Sequence, residues 1–226
     1  NKGVGVRQAK GELLLMIDHD NVLPYPSWLR KMVKPLLIEK DLVGVETLRY
    51  HYDQKGLLLD RYFALFGGGD PLSFYLGKSD RLSYLYKEYN LFGSAMDKGE
   101  KTSKRHKKLI EFQPNKIPTL GANGFLIRRD ILVKNAIIDE DHFFHIDVNV
   151  DLIKKGFNKY AFIKDDIIHL TGYKNIFSFL YRRKLFMEQY YIKNNKNRTY
   201  SVFMTSDKLN LVFFILYSIT FVKPAF

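Results

Sequence analysis

Two aspartates, Asp18 and Asp20, flank His19 directly after a continuous apolar run at residues 13–17, LLLMI. Side chains of an extended segment return to the same side every second residue, so carboxylates at i and i+2 can face one way. Two hard oxygen donors placed like that suit Mg²⁺ or Mn²⁺, which accept carboxylates and keep positions for water and phosphate. The plainer reading is that both aspartates cap the turn that follows. The element that carries the pair bears on the choice.

That element reads as a strand. A short apolar run without polar alternation fits a strand covered on both faces of a parallel sheet, and ligand crevices open at the carboxyl ends of such strands. Upstream, "NKGVGVRQAKGE" over 1–12 reads as a polar helix ending near Gly11. Downstream, Pro24 and Pro26 make a turn, and Ser27 is placed to N-cap a helix over 28–40 that Pro35 kinks or ends. "DLVGVETLRY", 41–50, is the next strand. Helix, strand, helix, strand is the rhythm of an α/β domain with a mostly parallel sheet flanked by helices.

Residues 56–112 are less regular, with a turn at "FGGGDP" and a basic loop at 96–108. Pattern returns in "IPTLGANGFLIRRDIL", 117–132, a glycine-flanked turn feeding a strand and a helix. "HIDVNVDLIKKGF", 145–157, reads as a helix closed by Gly156. "KYAFIKDDIIHL", 159–170, is a strand leading to His169, and 174–193 is amphipathic and basic.

The chain has 226 residues, 46% of them hydrophobic, enough for one substantial core or a core with an appendage. Having no cysteine excludes a disulfide scaffold, a Cys-ligated zinc site and a thiol nucleophile. A formal net charge of +12 favours anionic partners. "KGEKTSKRHKK" and "YRRK" could meet nucleic-acid phosphates, but the first lacks interleaved aromatics and no DNA-binding motif appears. A solvated or membrane-facing loop explains that run more simply, and we expect no nucleic-acid partner.

The apolar run 209–222 is shorter than the roughly 18 residues of a spanning helix and contains Asn210. A core helix, a truncated membrane hairpin and an interfacial helix all fit it. The Lys/Arg excess just upstream fits a cytoplasmic, anionic membrane face. The chain opens at Asn1 within a helical pattern and stops at Phe226 in or just after the apolar run, so we expect further sequence on both sides.

"VRQAKGELLLMIDHDNVLPYPSWLRKMV" resembles the centre of the family 2 glycosyltransferases of the GT-A fold: a helix with Arg-x-x-Ala-x-Gly, an apolar strand, Asp-x-Asp, and a Pro-x-Trp-Leu helix start. "TLGANGFLIRRDIL" resembles their second block, and the match runs in order over most of 1–190. The resemblance implies a partial GT-A catalytic domain over 1–173 with 56–112 inserted, a basic amphipathic helical segment over 174–208, and the start of a membrane-associated apolar helix over 209–226. It also implies that Asp18 and Asp20 hold a divalent metal, Mg²⁺ or Mn²⁺, against the diphosphate of a nucleotide-sugar, with His169 completing the shell.

By the same resemblance, Arg7 would approach the nucleotide, and Gly121, Ala122 and Asn123 would line the donor-sugar or acceptor pocket. Arg182 and Arg183 would lie over the diphosphate. The family's general base comes from an adjacent acidic pair about nine residues before a glycine, and "HFFHIDVNVDLIKKG" has no such pair. Asp147 has the right offset to Gly156, and Asp151, one helical turn on, is the alternative. The implied activity is inverting transfer of a sugar from a nucleotide-sugar to a lipid-linked or glycan acceptor, at the cytoplasmic face of a membrane. A non-catalytic, membrane-associated binding module on the same scaffold is the alternative.

Overall fold

A computed structural model describes residues 2–85, 100–103, 106–138, 143–193, 196, 198–200, 212 and 215. Nearly all of 201–226, including most of the apolar run, lies outside the described residues, as does 86–99. The helices are α1 Lys2–Gln8, α2 Trp28–Ile38, α3 Leu58–Phe66, α4 Pro71–Tyr75, α5 Arg129–Asn135, α6 His145–Lys154 and α7 Ile176–Met187, which continues as a π-helical turn Glu188–Lys193. The strands are β1 Leu13–Met16, β2 Asn21–Val22, β3 Gly44–Tyr50, β4 Glu100–Ser103, β5 Lys107–Glu111, β6 Phe125–Arg128 and β7 Lys159–His169.

Among the described residues these strands form one sheet in the order β1-β6-β3-β7-β5-β4, with β2 paired to β7. The sheet is mixed. β3 and β7 are parallel neighbours, but β6 runs antiparallel between β1 and β3, and β5 runs antiparallel beside β7. The expected α/β architecture is therefore present, with a mixed sheet in place of a mostly parallel one.

Alternate residues along each strand enter different cores. Phe125 and Ile127 of β6 join Tyr160 and Phe162 of β7 on the face covered by α5 and α6. Leu126, Val45, Ala161 and Ile163 join Trp28, Met32 and Leu36 of α2 on the other face. The period of two is the strand pleat, and Trp28, Met32 and Leu36 recur at the i, i+4, i+8 spacing that makes one helix stripe.

Four local expectations are corrected. β1 is not buried on both faces: its burial alternates, and it pairs antiparallel with β6 at the end of the sheet path. Ser27 makes no side-chain cap for α2, which spans Trp28–Ile38 with Pro35 inside it. The basic loop 96–108 contains strand, since β4 and β5 form an antiparallel hairpin and β5 pairs with β7 from Lys107 to Glu111. The stretch 56–112 thus builds part of the main sheet. Repeated lysines hid that strand, because its apolar signal rests on Leu109 and Ile110.

The strand directions place the site. β1, β3 and β7 run one way and β6 the other, so Asp18, Tyr50, His169 and the turn before Phe125 converge on one edge. Gly124 N donates to Met16 O at 2.8 Å across that edge.

Candidate functional site

Asp18 and Asp20 lie in the turn between β1 and β2, not on a strand, so side-chain alternation does not set their directions. Asn21 shapes the turn: its N–H reaches Asp18 O at 3.1 Å, and its Oδ1 accepts from Asp18 N at 2.9 Å. The carboxylates have separate partners. Asp18 Oδ1 pairs with Lys2 Nζ of α1 at 2.7 Å, whereas Asp20 Oδ2 lies 3.3 Å from His169 Nε2.

The Asp20–His169 contact follows from pairing. β2 and β7 place Asn21 opposite His169, and Leu170 N donates to Asp20 O at 2.8 Å. The imidazole packs between Tyr50 and Phe63, with ring centroids 5.3 and 5.2 Å away. Its Nδ1 is buried with no hydrogen-bond partner. Among the described residues no group of three or more His, Asp or Glu side chains is placed to hold a metal ion.

The glycine turn enters the same edge. Gly121, Asn123 and Gly124 have φ of 117°, 54° and 87°, in the half of backbone space where a side chain is strained and asparagine is among the better tolerated. A Cβ on Gly121 would lie 2.4 Å from Asn149 Nδ2 and 2.9 Å from His145 O. Asn123 bridges the turn to the rest: Asn21 Nδ2 donates to its Oδ1 at 3.0 Å, and its Nδ2 donates to the Tyr50 hydroxyl at 2.8 Å. Ala122 is buried beside it.

Behind Asn123 is a polar cluster that sequence reasoning missed. Arg81, 1% exposed, donates Nη2 to Asn123 O at 2.8 Å and Nη1 to Asp80 Oδ1 at 2.9 Å. The same Nη1 lies 2.7 Å from Glu46 Oε1, and Tyr50 donates its hydroxyl to Asp80. Neither Glu46 oxygen gains a well-formed hydrogen bond. Burial pushes the Glu46 carboxyl well above the usual carboxylate range; Arg81 pulls it down, and Asp80 opposes Arg81. Burial is the larger effect, so the carboxyl stays displaced upward despite the guanidinium beside it. The signal available beforehand was one acid inside the apolar strand "GVETLRY" and a charged "SDR" in a Leu/Tyr-rich stretch.

Asp147 does not open onto this edge as a free base. It is 6% exposed, and its oxygens accept from Arg198 Nε at 2.5 Å, Thr199 N at 2.7 Å, Thr199 Oγ1 at 3.2 Å and Tyr200 N at 2.6 Å. It anchors the returning chain at the start of α6. Asp151, a turn later, has no side-chain hydrogen bond or ion pair among the described residues and is partly exposed. Beside Asp147, burial holds the His145 imidazole down at about 4, with Lys2 and Arg198 adding in the same direction and Asp18 opposing.

The three arginines are scattered. Arg7 donates Nη2 to Ile138 O at 2.5 Å and ties α1 to the chain after α5. Arg183 Nη2 pairs with Asp70 Oδ2 at 3.3 Å, and Arg182 lies 6.0 Å above the Tyr173 ring. The helix carrying the last two is nevertheless coupled to the site, because Phe179 packs on Phe63, the ring that also touches His169.

Compared with known proteins, the chain matches no family model, no curated protein and no solved structure. Function therefore has to be argued from the site.

Proposed function

We propose that this protein is a metal-dependent inverting glycosyltransferase that moves a sugar from a nucleotide-sugar to a lipid-linked or glycan acceptor at a membrane. The observation that carries the reading is Asp20 beside His169, at the carboxyl ends of β1 and β7, with the neighbouring Asn21 bonded to Asn123 of the glycine turn. A carboxylate and an imidazole form a donor set suited to Mn²⁺. The buried, unpartnered His169 Nδ1 also fits a ring held in place by packing.

In this reading Asp20 and His169 would hold the cation, and Asp18 would be free to join them only without its contact to Lys2. A bound divalent cation would offset the negative charge that builds on a departing nucleoside diphosphate. The protein's own part is placement. Asn123, held by Asn21, Tyr50 and Arg81, presents a fixed polar wall to the donor. Arg183 becomes available to phosphate if its contact with Asp70 opens. With Asp147 engaged by residues 198–200, proton removal from the acceptor falls to Asp151 or requires that contact to break.

Asp147's engagement favours one second reading, a non-catalytic module that binds nucleotide-sugars on the same scaffold. For membrane association the support is α7, which has no buried residue and exposes Phe177, Leu180 and Tyr181 alongside Arg182 and Lys184. Among the described residues no helix is long and apolar enough to cross a membrane. The test is calorimetric titration with UDP- and GDP-sugars, with and without Mn²⁺, followed by donor hydrolysis without acceptor. Metal-dependent binding with turnover supports the enzyme, binding alone supports the module, and no binding removes both.

A further inference from the structure

A concavity lies away from the Asp20–His169 edge, between α2, the start of β5 and the middle of β7. Its volume is about 390 Å³, within the range of small-ligand sites. Pro35, Ile38 and Ile163 form its apolar floor, and Lys31, Lys34, Lys107 and Lys164 stand around it. None of Asp18, Asp20, Gly121, Ala122, Asn123 or His169 lines it.

The charges around this groove do not cancel. Asp165, the one acid in the lining, is already taken, because Lys31 Nζ is 3.0 Å from its Oδ2 and the Tyr25 hydroxyl donates to the same atom. Burial pushes the Asp165 carboxyl up, but those two hydrogen bonds outweigh it and leave the group below the usual carboxylate range. Lys107 pairs with Glu39 behind the rim. Lys34 and Lys164 have no side-chain hydrogen bond or ion pair among the described residues, and both are exposed. The apolar floor is also uncovered at one end, where Ile38 is 62% exposed.

We propose that this groove binds one molecule of an anionic amphiphile, with its apolar tail against Pro35, Ile38 and Ile163 and its anionic head between Lys34 and Lys164. An uncovered isoleucine supplies the drive for burying a tail. Two unmatched ammonium groups supply attraction for a phosphate or carboxylate that an apolar ligand alone does not use. The site stands independently of the transferase reading, since it shares no residue with that edge.

The test titrates the whole chain with decyl phosphate below its micelle concentration, in parallel with inorganic phosphate, decyl maltoside and acidic phospholipid vesicles. We expect saturable one-to-one binding of decyl phosphate at least ten-fold tighter than either soluble comparator. The exposed double variant Lys34→Glu/Lys164→Glu should weaken it ten-fold or more, and Ile38→Ser should weaken it without abolishing the head-group contribution. Arg182→Glu on α7 should leave it unchanged. Equal binding of inorganic phosphate, equal binding of decyl maltoside, or adsorption to vesicles without any decyl phosphate binding would each overturn the proposal. Circular dichroism of each variant keeps a folding defect from being read as lost binding.

Discussion

His169 Nε2 lies 3.3 Å from Asp20 Oδ2, and strand register brings them together, since the residue after Asp20 is the β-partner of His169. The pair is therefore as rigid as the β2–β7 contact, which is what the proposed cation site asks of two ligands. In the proposed reading Asp20→Ala should lower metal-dependent turnover by on the order of 100-fold or more, while the chain stays folded by circular dichroism. Steady-state rates against Mn²⁺ concentration check it. Unchanged rates would remove the cation from this site.

Lys2 competes for Asp18 at 2.7 Å. If Asp18 contributes to the cation shell, Lys2→Met should free it and raise Mn²⁺ affinity several-fold, because an opposing ammonium no longer has to be displaced. Calorimetric Mn²⁺ titration of the variant decides. A lower affinity would mean that Lys2 serves the site and Asp18 only orients it.

Asp147 and Arg198 form a buried pair, with side chains 8% and 5% exposed. Removing one partner of such a pair strands the other, at about 3–5 kcal/mol. Asp147→Ala should lose about that much by urea denaturation and should expose the chain around residue 198 to limited proteolysis. A variant as stable as the parent but inactive would instead assign Asp147 to proton transfer.

How much of this was legible in the residues differs from element to element. α2, β3, α6 and β7 were readable because their apolar spacing follows one period and Gly156 marks a helix end. Asp20 with His169 had no local signal, since they are far apart in sequence and meet through a two-residue strand that no pattern announces. β5 was hidden by its two lysines, which leave an apolar signal of only Leu109 and Ile110. The Arg81 cluster was hidden for a different reason: buried charges pair across distant segments, so Glu46 looks like a pattern error until Arg81 is found beside it. The occupation of Asp147 depends on residues 198–200, whose return to α6 has no local signature.

The glycine turn separates steric from conformational demand. Gly121→Ala combines a φ of 117° with a Cβ 2.4 Å from Asn149 Nδ2 and 2.9 Å from the His145 carbonyl. We expect a loss of about 2–5 kcal/mol. Gly156→Ala shares the positive φ, at 91°, but meets nothing within 4 Å, so only backbone strain of about 1–2 kcal/mol should appear. Urea midpoints of the two variants give the comparison, and equal losses would mean that the space around Gly121 relaxes.

Two buried groups should tilt stability with pH in opposite directions. Glu46 ionises near 4.5 in an unstructured chain and well above that here. Above pH 4.5 the unfolded chain has released a proton that the folded one still holds, so stability falls as pH rises towards the displaced value. His145 works the other way: its ordinary value is 6.5 and its folded value about 4. Between these the unfolded chain binds a proton that the folded one refuses, so stability falls as pH drops from 6.5 towards 4. Glu46→Gln should therefore remove the decline that begins above pH 4.5 and uncover the His145 slope. His145→Gln should flatten the acidic side and leave a steady decline from pH 4.5 upward. Urea midpoints at pH 4, 5.5, 6.5 and 8 distinguish the two. A Glu46→Gln variant that keeps the parent's downward slope would mean that Arg81 holds Glu46 ionised in the folded chain.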